Sequence, residues 1–269
     1  MKAKPAKRRV IFCTYPSLYS DIVLDELLKA EPLALVGVLE STRVLSQRYN
    51  RLQSAWRHIQ LSGLRYATYL WLVTDLYFAL RYCLRKAGFR QRIKARHIPL
   101  LSCRDINSAE SLAFLREQQA DILLSAHFNQ WLGAEVLAIP QLAALNIHPS
   151  LLPRFKGVDP AFYALLRFVQ ETGVTVHWQN EQFDSGPILE QTSLKVRPQD
   201  SLLSLNAKLF KLGAMSAVKQ VLQLSKESKG NPQQGKGNYD SWPNPYDTKI
   251  FRQQRKYFRW KEYWAFVRR

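Results

Sequence analysis

Three polar side chains stand where apolar sequence gives way to turns: Asn146, His148 and Asp184. Asn146 and His148 are two residues apart in "ALNIHPSLLPRFKG". On an extended segment both leave the same face, and Ile147 turns the other way into the packing. An amide beside an imidazole can hold one carbonyl oxygen from two directions, the geometry that stabilises a developing oxyanion. Asp184, in the turn-like "NEQFDSGPI", is the carboxylate that would complete the set. Beside His148 it would raise the imidazole pKa and favour the imidazolium. It could also accept a proton from an attacking nucleophile, directly or through one water. Each residue has a plainer reading. His148 alone reads as a strand-end histidine tied to a backbone carbonyl, and Asp-Ser-Gly alone as turn chemistry. Pro149 and Pro153 stiffen the exit loop and cannot continue a strand. Arg154 and Lys156 just beyond are candidates to meet an anionic acceptor, or only water.

The elements that must carry these residues alternate. "RRVIFCTY" reads as a buried strand, "SLYSDIVLDELLKAE" as a helix and "LALVGVLES" as a second buried strand, together a βαβ unit. The rhythm breaks at 42–97, where "SQRYNRLQSAWRHIQL" and "GLRYATYLWLVTDLYFALRYCLRKAG" suggest two helices, the second apolar nearly all round. It resumes with a strand at "IPLLSC" and a helix in "DINSAESLAFLREQQ", started by a capping box of Asn107 and Glu110. "ADILLSA" follows as a strand, "NQWLGAEVLAIP" as a helix, "AALNIH" as a strand and "DPAFYALLRF" as a helix. "TGVTVHWQ" and "GPILEQTSLKV" pair as a β arm, and "SLLSLNAKLFKLGAMSAVKQVLQLS" is a long amphipathic helix. This order predicts an α/β, mostly parallel Rossmann-like sheet with helices on both faces, a helical insertion and a basic C-terminal tail. Ligands of such sheets bind beyond the carboxyl ends of the strands, where Asn146 and His148 fall. The expected division is an α/β domain over 8–225 carrying the insertion 42–97, then a polar loop and basic aromatic tail over 226–269.

A chain of 269 residues that is 46% apolar can bury a proper core. Three cysteines with no CxxC spacing and no metal-type Cys/His cluster fit buried thiols in a reducing cytosol, and no metal is expected. The longest apolar run, near 66–80, contains Asp75 and falls short of the roughly 20 residues of a membrane span. The net charge of +18 is concentrated: +5 in residues 1–9, +11 in 42–97 and +6 in 245–269, which leaves about −4 for everything else.

"NIHPSLLPRFKG", then "TGVTVH", then "DSGPILEQ" resemble the catalytic domain of the 10-formyltetrahydrofolate-dependent formyltransferases, in that order, over about 98–222 and more weakly over 8–41. The spacings agree: His148 and Asp184 lie 36 residues apart, and His177 falls seven before Asp184. The resemblance implies a catalytic set of Asn146, His148 and Asp184, with 10-formyltetrahydrofolate as formyl donor and no metal. His177 would assist or be structural. The family's folate cleft maps onto "HFNQWL" (Asn129, Gln130, Trp131, Leu132) and "WQNEQF", with Gln179, Asn180 and Phe183.

The acceptor is less legible. The glycinamide ribonucleotide enzymes cradle phosphate with a Gly-rich loop after the first strand, and here "CTYPSLYSD" has no glycine. The tRNA enzyme has a C-terminal barrel, and only about 45 residues follow the long helix. The expected acceptor is therefore an amino sugar or another carrier- or lipid-linked amine, with a methionyl-tRNA-type reaction or a non-catalytic basic binding protein as alternatives. The tail reads either as an arm on which nucleic-acid bases stack or as helices packed on the core. The insertion reads as a lid or dimer contact, a peripheral contact with an anionic membrane, or a nucleic-acid grip, on a protein expected in the cytoplasm.

Overall fold

Every expected strand forms in the computed structural model, which describes residues 7–45 and 49–269. β1 (Arg8–Thr14), β2 (Leu33–Ser41), β3 (Leu100–Cys103), β4 (Ile122–Ala126) and β5 (Ala143–His148) are mutually parallel. β6 (Lys156–Gly157) lies outside that sheet. β7 (Glu171–Trp178) and β8 (Ile188–Lys195), the expected arm, add to it antiparallel, so the order is β3-β2-β1-β4-β5-β7-β8. β6 instead pairs in parallel with β9 (Tyr239–Asp240), far along the chain.

Alternation along the strands feeds two apolar layers. Val10 and Phe12 of β1 enter one, Ile11 and Cys13 the other. The larger layer is covered by α1 (Leu18–Lys29) and by α8 (Leu202–Gln223). The smaller is covered by α5 (Ala109–Glu117) and α6 (Ala134–Leu137). Each large side chain buried this way contributes roughly 1.5–3 kcal/mol.

The insertion is more broken than its sequence suggests. α2 (Arg51–Trp71) bends at Gly63, whose φ of 78° a side chain would oppose, so the boundary expected between two helices falls there. Beyond Gly63 the expected second helix runs through a π turn over Leu72–Leu76 and α3 (Tyr77–Cys83), and α4 (Phe89–Lys94) follows past its expected end. Cys83 is exposed, unlike Cys13 and Cys103, which corrects the expectation of three buried thiols. Ser46–Arg48, where the first helix was expected to begin, and the first six residues of the basic N-terminus lie outside the described residues.

Two local expectations fail for identifiable reasons. The N-cap of α5 is Ser108, whose hydroxyl accepts from the Ser111 amide; Asn107 is instead spent on the loop at 131–133, where its Oδ1 accepts from Gly133 N at 2.7 Å. "NQWLGAEVLAIP" holds only the single turn of α6, because Gln130 and Trp131 are committed to contacts of their own.

α7 (Pro160–Leu166) is the expected short helix. The tail forms α9 (Pro245–Gln254) and α10 (Trp260–Val267), and Phe251, Tyr263 and Val267 join the main core. Tyr263 donates from its hydroxyl to the Leu72 carbonyl at 2.8 Å, so the tail and the insertion pack on each other. Among the described residues no helix is long and apolar enough to cross a membrane.

Candidate active site

The register of β5 against β7 sets the site. In that antiparallel pair Asn146 faces His177 and His148 faces Thr175. Cross-strand neighbours bring their side chains together, and Asn146 Nδ2 lies 3.2 Å from His177 Nε2. The other ring nitrogen, Nδ1, lies 2.7 Å from the Trp178 carbonyl, which can only accept, so Nδ1 carries the proton and Nε2 receives the Asn146 amide. Burial, then the positive His148, holds the His177 pKa down at about 4, which keeps this ring neutral. On its far side Asn146 Oδ1 accepts from the Ser125 hydroxyl at 2.6 Å, and Ser125 in turn accepts from Gln179 Nε2 at 2.9 Å. The amide is thus fixed at both ends, and one of its two N–H bonds has no other claim.

His148 is buried at the end of β5. Its Nδ1 lies 3.3 Å from Asp184 Oδ1 and its Nε2 lies 2.9 Å from the Phe155 carbonyl. Both neighbours accept, so the ring fits its surroundings only as the doubly protonated imidazolium. Burial pulls its pKa down, but the Asp184 charge, its hydrogen bond and the Phe155 carbonyl outweigh that and carry it above the ordinary value. For Asp184, burial pushes upward and the His148 charge and hydrogen bond and the Gly157 amide more than reverse it, so the carboxyl sits well below the usual range. The two plain readings were each partly right: His148 does meet a backbone carbonyl, and Asp184 does sit in a tight turn, with φ +50°.

For the expected two-handed grip of Asn146 and His148 on one oxygen, the free N–H comes from Asn146 rather than from His148. Both His148 nitrogens already have partners, which leaves Asn146 as the uncommitted donor and His148 as a fixed positive charge behind it.

The loop after β5 is rigidly held. Thr175 donates to the Ser150 carbonyl at 2.7 Å and accepts from Leu152 N at 3.1 Å. From the tail, Asn238 Oδ1 accepts from Phe155 N and its carbonyl from Lys156 N. Gly157 N donates to Asp184 Oδ2 at 2.9 Å. At φ +97°, with Asp240 O only 2.2 Å from where a Cβ would sit, position 157 admits no side chain.

Asn146, His148 and Asp184 line one wall of a cavity of about 610 Å³. Its other walls come from the insertion, Val158 and Asp159, and Tyr239 and Trp242 of the tail. Gln130, Trp131, Leu132, Gln179, Asn180 and Phe183 meet around an adjoining recess of only about 60 Å³. Trp131 Nε1 donates to the Glu181 carbonyl at 2.8 Å, joining the two loops that flank this recess. Gln130 is not a ligand-facing amide: its Oε1 accepts from Ile106 N and its Nε2 donates to Ser41 Oγ. Asn180 shapes its own turn, accepting from Gln182 N and Ser185 Oγ. Asn129 donates to the Arg43 carbonyl and lines the large cavity. Arg154 and Lys156 do not line the cavity; Arg154 is exposed, with its guanidinium 5.5 Å from the Phe155 ring centre. The sequence reading missed Ser125, Thr175 and Asn238, whose roles depend on strand register and on a loop about 80 residues away. Among the described residues no group of three or more His, Cys, Asp or Glu is placed to hold a metal.

A family model described as "Formyl transferase" matches residues 85–222, which include Asn146, His148, His177 and Asp184. The chain belongs to the formyl transferase family. The methionyl-tRNA formyltransferase of Methylacidiphilum infernorum (isolate V4) is 38% identical over 125 residues, 46% of this chain and 39% of that protein. The chain thus matches about two-fifths of that relative's length. Among solved structures, phosphoribosylglycinamide formyltransferase from Bacillus halodurans superposes with a TM-score of 0.56 at 20% identity, over 80% of this chain and 94% of that one. An N-formyltransferase from Helicobacter canadensis, in complex with folinic acid and dTDP-3-aminofucose, gives 0.55 at 16% identity, over 87% and 71%. At these identities the likeness is one of fold, and it covers the Rossmann-like core expected from the sequence.

Proposed function

We propose that this formyl transferase family member moves a formyl group from 10-formyltetrahydrofolate to an amine, with Asn146, His148 and Asp184 as its catalytic residues. The observation that carries this is the buried His148–Asp184 ion pair beside a pre-aimed Asn146 amide in the wall of a large cavity. The residues fit a folate at one point in particular. Gln179 Oε1 is buried without a hydrogen-bond partner and its side chain lines the recess, where the N–H edge of a pterin would satisfy it. The recess itself is smaller than the roughly 300–1,000 Å³ of a small-molecule site, so binding requires the Trp131–Glu181 bridge to open.

When bound, the folate supplies the formyl group. Asn146 Nδ2–H donates to the formyl oxygen, where negative charge develops as the amine attacks the carbon. The His148 imidazolium stabilises that charge through the field of a buried cation. Asp184 keeps His148 charged and stands as the acceptor, directly or through one water, for the proton the amine must lose, which passes to the donor nitrogen as that nitrogen's bond to the formyl carbon breaks. Trp131, Leu132, Gln179 and Phe183 form the donor side with Asn129, while Gln130 and Asn180 hold its loops. The acceptor is an amine on a carrier, an amino sugar or a lipid-linked amine.

A second reading, formylation of an aminoacyl-tRNA, is favoured by the likeness to the methionyl-tRNA formyltransferase of Methylacidiphilum infernorum. The burial of Phe251 and Tyr263 weighs against it, because those tail aromatics are withdrawn from base stacking. The decisive measurement is formyl transfer from 10-formyltetrahydrofolate to a panel of amines, read by mass spectrometry of the products. Loss of transfer in His148→Ala is expected; full transfer in that variant removes the mechanism. Binding to tRNA that weakens steeply with salt would favour the second reading.

A further inference from the structure

The large cavity is unlike the surface of the protein around it. The chain carries 39 Lys and Arg, yet among the described residues none lines this cavity. Its walls on the insertion side are mostly apolar or aromatic, with Ile59, Ala67, Leu70 and Val73 from the inserted helices and Trp242 from the tail, interrupted by His58, Thr74 and Asp75. Phosphate and pyrophosphate groups are recognised by Arg, Lys and oriented backbone amides. A chamber with no Lys or Arg among its described lining residues, inside a protein of net charge +18, is poorly made for them, and the His148 imidazolium in its wall is already paired with Asp184.

Besides Asp75 and Asp184, the chamber is lined by the carboxylate of Asp159. Asp159 starts α7 with φ +44° and makes no side-chain cap to its own helix. Its carboxylate is turned across the cavity wall instead. Tyr66 of the insertion donates to Oδ2 at 2.8 Å and Asn206 of α8 donates to Oδ1 at 3.1 Å. All of its hydrogen-bond donors are neutral, and no cation is paired with it among the described residues. Burial lifts its pKa above the ordinary value, the mark of a carboxylate lacking a counter-charge. It lies two residues past Gly157, whose amide holds Asp184, so at most about 7 Å of backbone separates the two positions.

We infer that the inserted helices build an acceptor chamber for a primary amine carried on an apolar body, aromatic or acyl, whose ammonium is attracted by Asp159 and which brings no phosphate into the chamber. This rests on the formyl-transfer reading for what happens next, but the binding does not. A cation beside Asp159 would supply the missing counter-charge, and burial of the apolar body contributes roughly 25 cal/mol per Å². Tyr66 and Ala67 are then specificity-determining positions of this chain.

The test is binding, with four probes: octylamine, octan-1-ol, glucosamine 6-phosphate and folinic acid. Octylamine is expected to bind the full chain more tightly than octanol, and glucosamine 6-phosphate least. Asp159→Asn keeps the shape and suits the left-handed backbone; it should weaken octylamine roughly tenfold and leave octanol unchanged. Ala67→Trp should fill the chamber and weaken both by tenfold or more, with folinic acid binding and melting temperature retained. Tighter binding of glucosamine 6-phosphate than of octylamine, or octylamine binding that survives Ala67→Trp, would overturn the inference. Failure of folinic acid to bind the unaltered chain would count against the donor reading alone and leave the amine results standing.

Discussion

Asn146 and His177 are direct cross-strand partners, and a neutral imidazole nitrogen receives the Asn146 amide 3.2 Å away. The arrangement decides which end of the amide is which. Nδ2 must face the histidine and Oδ1 must face Ser125, so the second N–H is delivered to the cavity without a search. Under the proposed mechanism, His177 is a positioning residue, acting through Asn146. His177→Ala should lower kcat roughly tenfold with KM little changed, and His177→Asn should recover part of it. Asn146→Ala, which removes the donor, should cost about 10²–10³ in kcat. Equal losses in the two variants would mean that His177 touches substrate itself.

The protonation states of the two histidines are opposite and can be read directly. Long-range ¹H–¹⁵N spectra at neutral pH should show His148 as an imidazolium and His177 as the neutral Nδ1–H tautomer. Two neutral rings would remove the ion pair on which the mechanism depends.

Stability should follow from the same assignments. His148 has a folded pKa above its unfolded value, so its contribution is complete below about pH 6.5 and fades as pH rises through the folded value. Asp184 is depressed, so its contribution is present above about pH 4 and is lost on further acidification. His177, held near 4, acts against the fold when acidified, because the unfolded chain takes up a proton that the folded one refuses. At about 1.4 kcal/mol per unit, this amounts to a loss on the order of 3 kcal/mol between pH 6.5 and 4. Urea melts of His177→Asn against the unaltered chain should show a flatter pH dependence in that window.

Asp184→Asn tests the buried pair without upsetting the backbone. Position 184 is left-handed at φ +50°, a region that Asn tolerates and branched residues do not. The variant should fold, with a stability loss of about 3–5 kcal/mol as His148 loses its counter-charge, and the His148 pKa should drop in an NMR titration. Transfer should fall with it. An unchanged His148 pKa would show that the Phe155 carbonyl, not Asp184, sustains the charge.

The sequence carried the strands and the catalytic candidates because both have short-range signatures. β-branched and apolar runs bounded by turns mark buried strands, and Asn146 and His148 share a face by strand period alone. Asp184 was reachable only through motif order, since nothing local tells a turn aspartate from a catalytic one. The roles of Ser125, Thr175 and Asn238 were invisible because they depend on register and on a loop that returns to β6. Asn107 was misread for the opposite reason: a valid capping pattern lost to a tertiary partner, Gly133 N. The tail's charge pointed outward, and its buried Phe251 and Tyr263 show that an aromatic stretch flanked by Arg can be core.

The insertion makes a last claim that its cavity-facing side does not exhaust. On α2, Leu52, Trp56 and Leu61 are substantially exposed and do not line the cavity, with Arg57 and Arg65 exposed beside them. Apolar side chains set among cations on a helix suit the interface of an anionic bilayer, where rings enter the headgroup layer and Arg meets phosphates at about 1 kcal/mol each. A lipid-linked amine would then be presented at the helices that wall the chamber. Flotation with phosphatidylglycerol-containing vesicles should recover the unaltered chain in the lipid fraction, and less of it with neutral lipid or raised salt. Trp56→Glu with Leu52→Glu, both at exposed positions away from the cavity, should abolish flotation while leaving the melting temperature and folinic acid binding as they were. Equal recovery of the unaltered chain and this variant would assign the exposed face to some contact other than a membrane.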